Sequence, residues 1–160
     1  VSDPRGIRNN NPGNIKRSDD AWVGLADSQQ DDVFFTFAEP RYGIRAMCKL
    51  LQTYQEVHNK RTLAEIIDRW APPSENDTDA YVRAVSAWTG LAPNEPLDVT
   101  QYNVALPLVR AMVRMENGKP PENRPEHWYD DKVYEHGLRL AGVSPNKRLR
   151  YSRTTKGAAT

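Results

Sequence analysis

Arg5-Gly6-Ile7-Arg8-Asn9-Asn10-Asn11-Pro12-Gly13-Asn14-Ile15 is the stretch on which the reading of this chain turns. Three successive asparagines followed by Pro-Gly-Asn favour neither helix nor strand. Asparagine side chains compete with the backbone for hydrogen bonds, Pro12 lacks an N–H, and Gly13 tolerates positive φ. The stretch therefore reads as a structured loop crowded with amides. Amides donate and accept hydrogen bonds without charge, which suits neutral, hydroxyl-rich and N-acetylated ligands.

Beyond the loop, Val33-Phe34-Phe35-Thr36-Phe37 is the best strand candidate, with Phe35 and Phe37 on one face. Trp22-Val23-Gly24-Leu25 supplies its hairpin partner, and Asp19-Asp20 and Asp27 to Asp32 are turn-like. From Pro40 the pattern turns helical: Ile44, Met47, Cys48, Leu51 and Tyr54 repeat at three and four residues. A second helix opens on the capping box Thr62-Leu63-Ala64-Glu65, carries Ile66, Ile67 and Trp70, and is stopped by Pro72-Pro73. Thr78 is expected to cap a third, bearing Tyr81, Val82, Val85 and Trp88 and ending near Gly90. Thr100 is expected to cap a fourth, firm from Leu108 to Glu116 because Pro107 should break or kink it. A last helix is expected from Pro125 to Ala141, closed by Gly142. The fold class is mainly α (α+β), with one small β-hairpin.

The 160 residues suffice for one domain with a real core. We expect it to span residues 1–143, with a basic tail at 144–160. Lys147, Arg148, Arg150, Arg153 and Lys156 charge that tail and leave the body net acidic. Such a tail suits nucleic acid, anionic lipid or an acidic protein partner, or a solvated terminus. With no base-reading motif, nucleic acid is not an expected partner. No apolar run reaches membrane-spanning length. The segment at Val1 lacks a signal-peptide pattern, so delivery by other means is expected if the protein works outside a cytoplasm. The single cysteine, Cys48, excludes an intrachain disulfide and reads as a buried, inert thiol. Three histidines, His58, His127 and His136, show no HExxH spacing. No metal and no cofactor is expected.

Glu116 ends the apolar run Leu108 to Met115. A carboxylate is disfavoured there because the helix dipole is negative at its C-terminus. That field and the apolar neighbours favour the proton-bearing form, which is what glycosidic bond cleavage needs in a proton donor. A surface glutamate tolerating a small penalty is the plain alternative.

The segments Asn9 to Lys16, Trp22-Val23-Gly24, Phe35-Thr36-Phe37 and Gly43-Ile44-Arg45-Ala46 through Leu50-Leu51 resemble bacterial cell-wall glucosaminidases. Trp70 to Val82 resembles that family's later Tyr-Ala-Thr-Asp-Pro-x-Tyr segment. In that family the catalytic glutamate precedes the Asn-rich loop, whereas the matching helix end here is Met115-Glu116-Asn117-Gly118. The order is that of a circular permutation, which a helical core accommodates when its termini lie close together. Arg5 to Ile15, Trp70 to Thr78 and Glu116-Asn117-Gly118 also resemble phage virion proteins of the lysozyme-like superfamily, in particular lysins of enveloped double-stranded-RNA phages.

The resemblance covers roughly Arg5 to Gly142. It implies a lysozyme-like helical domain and a virion lysin that degrades peptidoglycan in the host periplasm at entry or release. It implies Glu116 as general acid and base, in lytic transglycosylase or muramidase chemistry. Substrate-binding roles then fall to Asn10, Asn11, Asn14, Trp22, Tyr42, Glu75, Tyr81 and Asn117. Phe35 and Trp70 are further rings able to pave a sugar groove. Asp20, Asp27, Asp31, Asp32, Glu75 and Asp77 are the candidates for a second carboxylate. The competing readings are a peptide-crosslink endopeptidase using zinc and a non-enzymatic virion protein that binds glycan or anchors to other virion proteins through its basic tail.

Overall fold

Pro40 fixes the backbone for a first helical turn, and the apolar stripe behind it makes α2 (Pro40–Glu56) the central helix of the fold. Ile44, Met47, Cys48 and Leu51 are all buried along it. In the computed structural model, which describes residues 2–124 and 126–145, the other elements gather around this stripe. They are α1 (Arg5–Arg8), α3 (Leu63–Trp70), α4 (Thr78–Thr89), α5 (Tyr102–Asn117) and α6 (Asp131–Leu140). The fold is mainly α. α2 packs chiefly on α6, and α4 packs on both α3 and α5. Leu63, Ile66, Ile67, Val85, Leu108, Met112, Tyr134 and Leu138 close the main core with the α2 stripe.

Local chemistry explains most helix limits. The Thr62 hydroxyl accepts from the Glu65 amide at 3.2 Å while the Glu65 carboxylate accepts from the Thr62 amide at 3.1 Å, the reciprocal box expected for α3. Gly90 and Gly118 follow α4 and α5 with φ of 79° and 81°.

Several limits differ from expectation. Arg5–Arg8 is a turn of helix rather than loop, because the Pro4 carbonyl accepts from both Ile7 and Arg8 amides at 3.0 Å. Asp77 rather than Thr78 caps α4, accepting from the Ala80 amide at 3.0 Å. The Thr78 hydroxyl instead donates to Ala71 O at 2.6 Å, tying the end of α3 to the start of α4.

α5 runs unbroken through Pro107. The carbonyl that Pro107 cannot bond is that of Asn103, an exposed residue in the opening turn of the helix. The Asp98 carboxylate, accepting from the Thr100 amide and hydroxyl and from Gln101, organises the chain entering this helix. The last helix begins at Asp131 rather than Pro125. Trp128 is buried and donates its indole N–H to Gly118 O at 2.8 Å, which holds the preceding segment off the helical path.

The expected hairpin is reduced to the isolated antiparallel bridges Lys16↔Phe34 and Leu25↔Phe37. Phe35 and Phe37 nevertheless share a buried face, forming a second small core with Ala46. Positions 146–160, with all five charges of the expected tail, lie outside the described residues.

Candidate active site

The Asn-rich loop follows α1 directly, and buried amides pin it. The Asn9 side chain donates to Asp31 Oδ2 at 3.0 Å. Asp31 also accepts from the Arg5 guanidinium at 2.6 and 2.7 Å and from the Val33 and Phe34 amides. The Arg5 bonds and those amides hold the Asp31 carboxyl well below the usual carboxylate range. Asn10, at φ 52°, donates to Phe37 O at 3.0 Å. Asn11 is fully buried; its Nδ2 donates to Ile15 O and Phe35 O, and its Oδ1 accepts from the Ile15 amide. The loop rests on α2 at Gly43, where a Cβ would come within 2.2 Å of Asn10 O.

These bonds fix Asn14, at φ 50°, against the end of α5. Its Nδ2 donates to Glu116 Oε1 at 3.2 Å. Two further donors meet the other oxygen: Tyr81 Oη at 3.0 Å and Trp70 Nε1 at 3.3 Å from Glu116 Oε2. Both carboxyl oxygens are therefore held in place, by residues from α3, α4 and the loop. Burial first, then the neighbouring Glu116, raises the Tyr81 hydroxyl well above its ordinary range, so it remains a donor through neutral pH. Three donors offset the unfavourable helix-terminal field at Glu116.

Asn117 braces the same corner from below, donating to Pro12 O at 2.8 Å and Val113 O at 2.9 Å. Gly6 lies beneath both amides; a Cβ there would meet Asn117 Oδ1 at 2.5 Å and Asn14 Oδ1 at 2.8 Å.

Glu116 and Asn14 open onto a cleft of about 800 Å³. Gly13 to Ser18, Asp20, Trp22 and Phe34 line it together with Leu50, Tyr54, Arg69 to Pro72, Glu75 and Asn76. This volume lies in the range of natural ligand pockets. A carboxyl group held by three neutral donors beside flat rings is positioned to exchange a proton with a bound polar ligand.

No protein-family model matches the chain. It is 40% identical over 139 residues to protein P5 of Pseudoalteromonas phage PM2, a match covering 84% of this chain and 82% of that protein. The chain belongs to the protein P5 family of bacteriophage proteins.

In this P5-family chain the residues read from sequence divide into two groups. Glu116, Asn14, Trp22 and Glu75 face the cleft, and Tyr81 sits behind it on Glu116. Asn10, Asn11, Asn117 and Tyr42 are not among the residues that line it. The three asparagines spend their amide donors on backbone carbonyls, and Tyr42 packs its ring over Gly24. Phe35 lies in the second core.

Of the candidate second carboxylates, Asp20 and Glu75 reach the cleft. Asp31 is engaged by Arg5, and Asp77 caps α4. Cys48 is buried, and burial pushes its thiol up to about 12. The histidines are engaged elsewhere: His58 beside Tyr54, His127 beside Tyr134, His136 beside Arg41. Among the described residues no three His, Cys, Asp or Glu side chains group as metal ligands. No helix among them is long and apolar enough to cross a membrane.

The contact of Trp70 with Glu116 was not legible in the sequence. Its spacing from Ile66 and Ile67 explains it as core, and half of it is core. Arg17 and Arg69, which also line the cleft, belong to no motif.

Proposed function

We propose that this protein is a phage virion lysin that cleaves the glycan strand of peptidoglycan in the host cell wall, with Glu116 as the single general acid and base. One observation carries the reading. Glu116 and Asn14 are 102 residues apart in the chain, yet they meet at 3.2 Å on the floor of a sugar-sized cleft, with Trp70 and Tyr81 holding the second carboxyl oxygen. The mainly helical architecture and the family's phage origin are compatible with it, and the reading rests further on the sequence resemblance to glucosaminidases and lysozyme-like lysins.

In the reaction, Glu116 gives its proton to the glycosidic oxygen as the bond to the anomeric carbon breaks. The substrate's N-acetyl carbonyl supports the electron-poor carbon. The resulting carboxylate then takes the proton of the same sugar's 6-hydroxyl as that oxygen bonds to the anomeric carbon, giving an anhydro end without consuming water. Hydrolysis needs a second carboxylate at a defined separation, for which Asp20 and Glu75 are the groups on the cleft.

The test is Glu116→Gln in a murein digestion assay, with the products weighed by mass spectrometry. The wild type is expected to release anhydro or reducing sugar ends and the variant neither. A folded variant that still solubilises murein, or a wild type that frees peptide termini instead, overturns the assignment.

A further inference from the structure

Trp70 and Tyr54 form an aromatic shelf in the lining of the cleft. The Trp70 indole that bonds Glu116 packs edge-on against Tyr54, with ring centroids 6.3 Å apart. The Arg69 guanidinium lies over that Tyr54 ring at 5.2 Å from its centroid. Arg69 is exposed at the cleft, and no carboxylate pairs with it among the described residues. The acids nearby are committed elsewhere: Glu75 pairs with Lys16 at 3.5 Å, and Asp20 accepts from the Ser18 hydroxyl at 2.8 Å. Ring stacking thus presents a flat, permanently charged fork of donors beside the place where a ligand ring would lie.

A neutral amino-sugar chain laid along this shelf would offer the guanidinium only the neutral acceptors of its hydroxyl and acetamide oxygens in exchange for the water it displaces. A carboxylate hung from that chain would turn the same burial into a charge-assisted, two-pronged hydrogen bond. The difference is a means of selecting one glycan over another. Resting on the glycan-cleaving reading above, we infer that Arg69 is a specificity residue that binds a carboxylate of the peptide stems, so the substrate is an acidic, peptide-bearing glycan strand rather than a neutral N-acetylated polymer.

The experiment uses the whole protein on two forms of one substrate. The first is purified sacculi with their amines acetylated. The second is the same material with its carboxyl groups converted to neutral methylamides. The readout is the ratio of KM on the neutralised form to KM on the acidic form. We expect about a tenfold ratio for the wild type, collapsing to within about twofold for Arg69→Gln and partly restored in Arg69→Lys, which keeps the charge but loses the fork. Circular dichroism checks that the variants are folded.

A wild type that cleaves both forms with equal KM overturns the inference and leaves the glycan-cleaving reading standing. An Arg69→Gln protein that keeps the wild-type ratio does the same. A wild type that cleaves neither form removes the underlying reading, and the inference with it.

Discussion

Replacing Asn11 by alanine should be among the most damaging single changes this protein can suffer, although Asn11 touches no ligand-facing surface. The side chain is fully buried. It donates at 3.0 Å to Ile15 O and 2.9 Å to Phe35 O, and accepts at 3.0 Å from the Ile15 amide. Truncation strands two backbone groups at once, Phe35 O and the Ile15 N–H, while Ile15 O keeps the Phe35 amide at 3.1 Å. Each stranded buried group costs about 1–3 kcal/mol, for a sum of roughly 2–6 kcal/mol before relaxation. A water entering the vacated space would recover part, leaving about 3–4 kcal/mol. Domains are stable by only about 5–15 kcal/mol, so the loss is a large share of the total. At about 2–4 °C per kcal/mol for a chain of this size, the melting temperature should fall by roughly 10 °C.

Urea unfolding followed by tryptophan fluorescence measures the effect directly, since the chain has four tryptophans. Asn11→Asp sharpens the test. It keeps the shape and the acceptor for the Ile15 amide, but sets a carboxylate against two carbonyl oxygens. Its loss at neutral pH should at least match that of alanine and should ease as pH is lowered and the carboxyl takes a proton. A loss below about 1 kcal/mol in Asn11→Ala would refute the claim that amide-to-backbone bonds hold this loop.

Tyr81→Phe removes the hydroxyl that donates to Glu116 Oε2 at 3.0 Å. It should lower kcat on murein by about tenfold to a hundredfold, with KM little changed, because a hydrogen bond to a charged group is worth about 1.5–3 kcal/mol; a kcat within twofold of wild type would remove Tyr81 from the machinery. Asp31 tests the electrostatics of the loop. Bonds from Arg5 and then from the Phe34 amide depress its folded-state pKa below the ordinary value of 3.8, so its stabilising effect is complete above that pH and is lost as pH falls below it. Asp31→Asn should therefore be less stable than wild type at pH 7 and show a shallower further decline between pH 4 and 2 in urea titrations; parallel declines would contradict the assignment.

How far the sequence reached depended on how local each determinant is. The α3 capping box and the α2 stripe are set by neighbours three and four residues away, and both stand as read. The limits that shifted were decided by distant partners. Thr78 yields its capping place to Asp77 because its hydroxyl is drawn to Ala71 O. Pro107 stands inside α5 four residues after the exposed Asn103, whose carbonyl it leaves unbonded. Trp128 delays α6 by anchoring on Gly118. At the candidate site, the family resemblance supplied the expected role of Glu116, and Glu116 drew notice as a carboxylate closing an apolar helix. Trp70 did not, because one ring edge serves the core while its N–H serves Glu116, and helical periodicity reports only the first.

The amide-rich loop pointed to the site for a reason other than the one its composition suggested. Ligand-facing asparagines were the expectation, yet Asn10, Asn11 and Asn117 spend their donors on backbone carbonyls, and Asn9 spends its own on Asp31. Only Asn14 turns outward, to Glu116. The arrangement follows from the loop's place in the fold. A segment with little regular structure that is buried between α2 and α5 must satisfy its carbonyls and amides without a ladder, and short neutral side chains with both a donor and an acceptor do this without burying charge. The same bonds leave Asn14 little freedom, so its amide meets Glu116 in a geometry fixed before any ligand arrives. For a proposed proton donor such preorganisation matters more than the number of amides in reach, because a carboxyl displaced by an ångström loses much of its rate. The asparagine run thus marks the site by building the support for one residue, and the distance in sequence between that residue and Glu116 is bridged by packing that Asn11 and Asn117 secure.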